Sequence, residues 1–215
     1  MATWIAHLRV AENVMKKMHL DRGLFIIGNL APDCNRANED WSSFIPDAKL
    51  THYRVNGNRS EPELFLDEHY NLDDDLPRKS FILGYYAHLI TDNMWGAMFR
   101  SWKDKHPDIT DKLNSDKSFV WTIKKDWYGQ DFKYLRENVN NVFVDEFLAL
   151  EPVIDFLDFF PAEIMNEKLE YIKSFYSDKD KAINLSEFKY LTTDQMDMFV
   201  DECSAMVLDQ LVKVI

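Results

Sequence analysis

Turn formers are scarce in this chain. Six glycines and seven prolines among 215 residues are too few for an all-β design of many short strands. Long periodic segments dominate instead, which predicts an all-α protein. The two cysteines, Cys34 and Cys203, lie far apart without CxxC spacing, so no disulfide framework is implied. No run approaches the ~18 uninterrupted apolar residues of a membrane span, so no stable membrane insertion is expected. The opening residues carry a charge at Arg9 and no long apolar core, unlike a secretory signal. The cytoplasm is therefore the expected compartment. Basic residues are the minority: 25 Lys and Arg against 37 Asp and Glu give a formal charge of −12. Such a field repels phosphate backbones and anionic bilayers, so no nucleic-acid partner is expected. Most of these acids serve solubility.

What the chain does have is apolar mass, 46% hydrophobic and 14% aromatic residues. That is ample for a single domain over 1–215. No internal repeat or long linker divides it; the polar, lysine-rich segment 177–191 is the expected hinge. The oligomeric state leaves no mark on the sequence.

The most informative stretch is Phe81 to Trp95, preceded by Pro77 where a helix's first turn tolerates proline. Phe81, Tyr85, His88, Asp92 and Trp95 recur at spacings of four, three, four and three, one face of a helix. The opposite face (Ile82, Leu83, Tyr86, Leu89, Ile90) is also apolar, so the helix should be central and covered on most sides. An ionised carboxylate there is costly unless a cation or hydrogen bonds compensate it. His88 and Asp92 could satisfy each other within a core; a metal ion would satisfy both.

A first helix is predicted over 2–18, with His7 facing inward. A second starts after Asp21, a good N-cap, and stops before Pro32. That places Asp33 at the mouth of the next loop, where it is either a turn residue or a binding group. Residues 34–59 read as irregular and carry Thr51-His52-Tyr53. Ser60 to Glu63 has the pattern of a capping box for a short helix. His69, near that helix's end, reads as a surface residue. Beyond the break at 103–108 the helical remainder covers 108–215, with expected helices over 153–176 and 192–215.

Five inward or loop-mouth candidates result: His7, Asp33, His52, His88 and Asp92. Three imidazoles with two carboxylates suit zinc better than calcium or magnesium, which prefer all-oxygen shells. At about four ligands per zinc, five fill one site and part of a second. A carboxylate such as Asp92 can bridge two ions, as in hydrolytic two-metal centres.

Four segments in order, Trp4-Ile-Ala-His7, Gly28 to Asp33, Thr51-His52-Tyr53 and Leu83 to Asp92, resemble the zinc-dependent phospholipase C family and its relatives, fungal single-strand nucleases with three zincs. The resemblance covers roughly residues 4–95. It implies a helical bundle with metal between central helices, and hydrolysis of a small phosphate ester or phospholipid-like substrate. Asp33, His52, His88 and Asp92 match the ligands of one zinc, with Asp92 bridging and His7 matching a ligand of its neighbour. The resemblance also implies Asp33 as general base. The secreted phospholipases complete that neighbour with the amine of a terminal tryptophan, whereas Trp4 is internal. The family places a further histidine just beyond the central aspartate, but here stand Met94, Trp95 and Met98, and no histidine follows His106. Asp126 and Asp131 are the candidate substitutes for a third site. The alternative is a degenerate member that keeps a structural or binding metal without catalysis.

Overall fold

The computed structural model of the chain describes residues 1–40 and 42–215. The architecture is all-α. Helix α1 spans Trp4–Met15. Thr3 precedes it in extended geometry, and its hydroxyl accepts from the Ala6 amide, satisfying one otherwise orphaned donor. Helix α2, Arg22–Leu30, starts where the sequence indicates: the Asp21 carboxylate accepts from the Leu24 amide at 3.0 Å. Ala31 keeps helical dihedrals despite Pro32, and the chain tightens into a 3₁₀ turn over Ala31–Asp33.

Segment 34–59 is more ordered than expected. Strand β1 (Arg36–Ala37) pairs antiparallel with β2 (Phe44–Ile45), and α3 (Ala48–Thr51) is capped by Asp47. His52 therefore ends a helical turn. Helix α4 (Pro62–His69) lacks the predicted capping box; its N-cap, Glu61, makes no side-chain bond to the helix and accepts instead from the amide and side chain of Asn56. Ser60 is engaged elsewhere, its amide donating to Asn93 Oδ1 at 3.0 Å and its carbonyl accepting from Asn93 Nδ2 at 2.9 Å. His69 is not a free surface residue either. Its Nε2 lies 2.6 Å from the Tyr53 hydroxyl, and its ring packs against Phe65.

Helix α5 runs Leu76–Lys105, and every residue from Ser80 to Asp92 is buried. It packs against α1, α2 and α4. Its approach to α2 is a backbone contact. A Cβ at Gly28 would stand 2.0 Å from the Phe81 carbonyl oxygen, and one at Gly84 would stand 2.3 Å from that of Phe25. Only glycine fits at that crossing.

The remaining helices are α6 (Pro107–Ser115), α7 (Val120–Glu137), α8 (Val142–Asp145), α9 (Ala162–Ser177) and α10 (Thr193–Val214). The helix expected from 153 starts only at Ala162. Pro152 and Pro161 bracket a non-helical stretch in which Asp155 accepts from the Ala162 amide at 2.6 Å and Asn166 clamps the Val153 backbone. The expected hinge is tethered: Asp126 accepts from the amides of Tyr190 and Leu191, and Gln130 Nε2 donates to the Leu191 carbonyl. Helix α10 packs on α1 and α5. Trp95 lies edge-on between Trp127 and Phe199, with centroids 5.1 and 4.9 Å away. Among the described residues, no helix is long and apolar enough to cross a membrane.

Candidate metal centre

All five predicted side chains come together. His7 projects from α1 toward α5, and its ring stacks flat on that of His88, with centroids 3.9 Å apart and planes 1° from parallel. Asp33 arrives from the 3₁₀ turn after α2, His52 from the end of α3, and His88 and Asp92 from successive turns of α5. Each of the five is buried.

Two of the rings are aimed by backbone carbonyls. His88 Nδ1 donates to the Asn29 carbonyl at 2.8 Å, a contact that depends on the Gly28–Gly84 crossing. His52 Nδ1 lies 3.0 Å from the Ala48 carbonyl, and the Tyr85 hydroxyl donates to the Thr51 carbonyl beside it. Holding Nδ1 in this way turns Nε2 inward, the arrangement that orients metal-ligating histidines.

The inward atoms are spaced for coordination. His52 Nε2 is 3.2 Å from Asp33 Oδ1 and 3.5 Å from Asp92 Oδ2. His88 Nε2 is 3.8 Å from Asp92 Oδ2, and His7 Nε2 is 3.5 Å from Asp92 Oδ1. Ligands about 2.0–2.1 Å from a tetrahedral zinc stand about 3.3 Å from one another. The two oxygens of Asp92 face different partners, Oδ2 toward His52 and His88 and Oδ1 toward His7. Two groups have ligand atoms mutually within 4.8 Å: His7 with His88 and Asp92, and Asp33 with His52 and His88.

Protonation favours ligation as well. Burial, then the neighbouring His7 ring, pushes His88 down to about 3, so it is neutral at pH 7. With its proton on Nδ1, its Nε2 lone pair faces a carboxylate. Burial pushes Asp33 up, but the His52 contact and the His88 and His52 rings outweigh it and hold the carboxyl at about 2. Asp92 is likewise held well below the usual carboxylate range. Burial opposes this, while the His7 ring and the amino terminus prevail. Both nitrogens of His7, Nε2 of His88 and Oδ2 of Asp92 are buried without a hydrogen-bond partner. Unsatisfied buried polar atoms are uncommon in folded proteins. Here those of His7, His88 and Asp92 cluster, and the His88 Nε2 lone pair stands 3.8 Å from Asp92 Oδ2, a repulsive contact that a divalent cation turns into an attractive one. The donor set, imidazole with carboxylate, fits zinc.

Several participants left no signal in the sequence. The Ala2 amide donates to Asp92 Oδ1 at 2.9 Å, and Arg54 Nη2 lies 3.8 Å from Asp92 Oδ2. The candidate substitutes for a third site do not join the cluster. Asp126 is committed to the 190–191 backbone, and Asp131 accepts from Thr3 Oγ1 and the Tyr176 hydroxyl, each at 2.6 Å. Trp4 is a wall residue, edge-on to Tyr171, Phe175 and Tyr176.

Burial raises Asp131 from 3.8 to about 7 even though both hydroxyl contacts work against it. Between about pH 4 and 7 the folded chain thus keeps a proton that the unfolded chain has released. The contribution of Asp131 to stability falls with rising pH across that window, against the rise that His88, neutral in the fold down to about pH 3, contributes as pH climbs toward 6.5. Asp131→Asn, a neutral isostere, is expected to remove that decline, worth on the order of a few kcal/mol. Urea unfolding of metal-free protein at pH 4.5 and pH 8 checks this; an unchanged slope in the variant would place the titration elsewhere.

A cavity of about 530 Å³ opens beside the cluster, with Asp33 and His52 on its lining. A larger cleft of about 790 Å³, lined by Asp21, Asp73, Asp74 and Asp75, contains none of the five.

A family model described as zinc dependent phospholipase C matches residues 6–125, a span that includes all five side chains. No curated protein and no solved structure matches the chain.

Proposed function

Because the chain belongs to the zinc dependent phospholipase C family, we propose that it is a zinc-dependent hydrolase of phosphate esters, with His7, Asp33, His52, His88 and Asp92 as metal ligands. The observation that carries this reading is the group of unpartnered, buried ligand atoms on His7, His88 and Asp92. Asp33, His52, His88 and Asp92 would hold one zinc, and Asp92 would bridge to a second on the His7 side. When bound, zinc supplies Lewis acidity, which makes water nucleophilic near neutral pH and offsets charge on a phosphoryl oxygen.

The chain's own groups do the rest. Asp33, ionised at neutral pH and reaching the cavity, accepts the hydrogen bond of the attacking water and is the general base of this reading. Its low pKa suits it to orienting that water more than to retaining the proton. His52 steadies the same carboxylate at Oδ1. The Arg54 guanidinium offsets the negative charge of Asp92. Water is excluded from the far side by the buried face of α5. The substrate is a phosphate ester or phospholipid-like molecule small enough for the cavity. The protein is read as one domain over 1–215, supported by α5 and α10 packing on α1, and as cytoplasmic, supported by Cys34 and Cys203 standing as buried free thiols.

A second reading, a retained metal without catalysis, draws on Met94, Trp95 and Met98 standing where the family has a histidine, and on the prior commitments of Asp126 and Asp131. Phosphodiesters and phosphomonoesters tested with and without chelator, on wild type and His88→Ala, separate the two. The hydrolytic reading expects turnover that chelator abolishes and zinc restores, with His88→Ala losing zinc and turnover together. Stoichiometric zinc with no turnover of any ester would favour the second reading.

A further inference from the structure

The cavity beside the metal cluster is lined by aromatic rings, among them Trp4, Trp121, Tyr128, Tyr171 and Phe175. Open aromatic faces of this kind recognise quaternary ammonium groups. Here several of those faces are already covered by the chain's own cations. Lys168 Nζ stands 4.9 Å from the Tyr171 ring centre and 5.5 Å from that of Trp4, and Lys124 Nζ stands 4.7 Å from that of Trp121. Among the described residues lining the cavity, Asp33 is the one carboxylate, and it belongs to the metal cluster. In a protein of net charge −12, two lysines facing one cavity beside a metal site form a local reversal of sign. Clefts of one sign with low-dielectric walls concentrate ligands of the other.

We infer that the cavity selects a phosphate ester whose head group carries a second anion, anchored by Lys124 and Lys168, over one whose head group carries a quaternary ammonium. This rests on the hydrolytic reading above and narrows its substrate class. The scissile phosphoryl group would lie toward Asp33 and His52, and the head group would extend outward between the two ammonium groups. A choline head group would meet two like charges where it needs bare aromatic faces. In the reaction, water adds to phosphorus, the bond from phosphorus to the glycerol oxygen breaks, and the departing alkoxide takes up a proton. The same chemistry serves a lipid and its water-soluble counterpart, so both enter the test.

The zinc-loaded protein is assayed on dihexanoyl phosphatidylglycerophosphate and dihexanoyl phosphatidylcholine, and on their deacylated forms, glycerophosphoglycerophosphate and glycerophosphocholine. The anionic member of a pair is expected to have kcat/KM about tenfold or more above its choline partner, the size expected of a few partly screened charge contacts. The series that is turned over identifies the source as lipid or soluble ester. In Lys124→Met/Lys168→Met, with zinc content equal to wild type, the ratio should collapse toward one. Lys124→Arg/Lys168→Arg, which keeps both charges, should preserve it. A wild type that favours the choline ester or ignores the head group overturns the proposal, as does a Met variant that keeps the preference.

If no ester is turned over, the hydrolytic reading fails, and calorimetry on the zinc-loaded protein decides the charge preference alone. Tighter binding of glycerophosphoglycerophosphate than of glycerophosphocholine, lost in the Met variant, supports it; equal binding overturns it.

Discussion

Gly84→Ala is expected to destabilise the protein by about 3 kcal/mol or more and to remove its metal affinity with the same stroke. Two effects of opposite sign compete at this position. Alanine is the better helix former by about 1 kcal/mol, which would favour the substitution in an exposed helix. The added methyl, however, would meet the Phe25 carbonyl oxygen at 2.3 Å and the Asn29 amide at 2.9 Å. Both are backbone atoms of α2, so no side-chain rotation relieves the clash and the helices must part. Overpacking against yielding side chains already costs about 1–3 kcal/mol, so a rigid obstacle belongs at or above that range. Parting the helices also pulls the Asn29 carbonyl from His88 Nδ1, and the ring loses its aim. Gly96→Ala, on the same helix, is the control. Its Cβ would meet only the tip of Arg100, so a neutral or slightly stabilising result is expected. Denaturant unfolding and zinc content of the two variants check this, and equal stability in both would mean that the α2–α5 contact is looser than described.

The second large effect concerns Asp92. Its oxygens face His7 on one side and His52 and His88 on the other, so Asp92→Asn should weaken every metal position at once. The loss should exceed the roughly 10–100-fold that follows removal of a second-sphere partner. The consequence for stability depends on zinc. With zinc free at 100 times its dissociation constant, wild type gains about 2.7 kcal/mol; the variant at the same zinc concentration should gain almost none. In metal-free protein a smaller loss is expected. Burial there opposes the charge of Asp92, but His7 and the amino terminus prevail and hold it well below the usual carboxylate range, so the folded state favours a charge that the amide lacks. A variant somewhat less stable than wild type without zinc, and further behind it with zinc, is the expected pair of thermal-unfolding results. A variant stabilised by zinc as strongly as wild type would remove Asp92 from the ligand set.

The parts of this architecture that were legible in the sequence are those governed by local rules. The α5 face repeats at helical spacing through His88 and Asp92, and burial on all sides followed from its apolar opposite face. The start of α2 followed from Asp21 as a capping residue. His7 could be turned inward from the stripe of α1. The errors have local rivals as their cause. Ser60 has the residue pattern of a capping box, yet its backbone is captured by Asn93 from α5, 33 positions on. The pattern after 153 is periodic enough for a helix, but Pro152 and Pro161 hold it open. His52 looked like a loop residue because α3 is a single turn.

Other features were beyond reach because they depend on which strangers meet. Carbonyl acceptors such as those of Asn29 and Ala48 are identical on every residue, so their role in aiming imidazoles has no residue signature. Lys124 and Lys168 come from α7 and α9, and nothing in either segment announces that they share a cavity with Asp33. Arg54 lies in a polar stretch in which its neighbour on α5 could not be foreseen.

Zinc K-edge X-ray absorption on the protein loaded with zinc tests the central claim most directly, since it reports the atoms around the ion whatever the substrate. The account predicts a shell of nitrogen and oxygen alone at about 2.0–2.2 Å with the outer-shell scattering of imidazole, fading in His88→Ala. Sulfur at about 2.3 Å, from Cys34 or Cys203, or a spectrum without imidazole scattering, would contradict it.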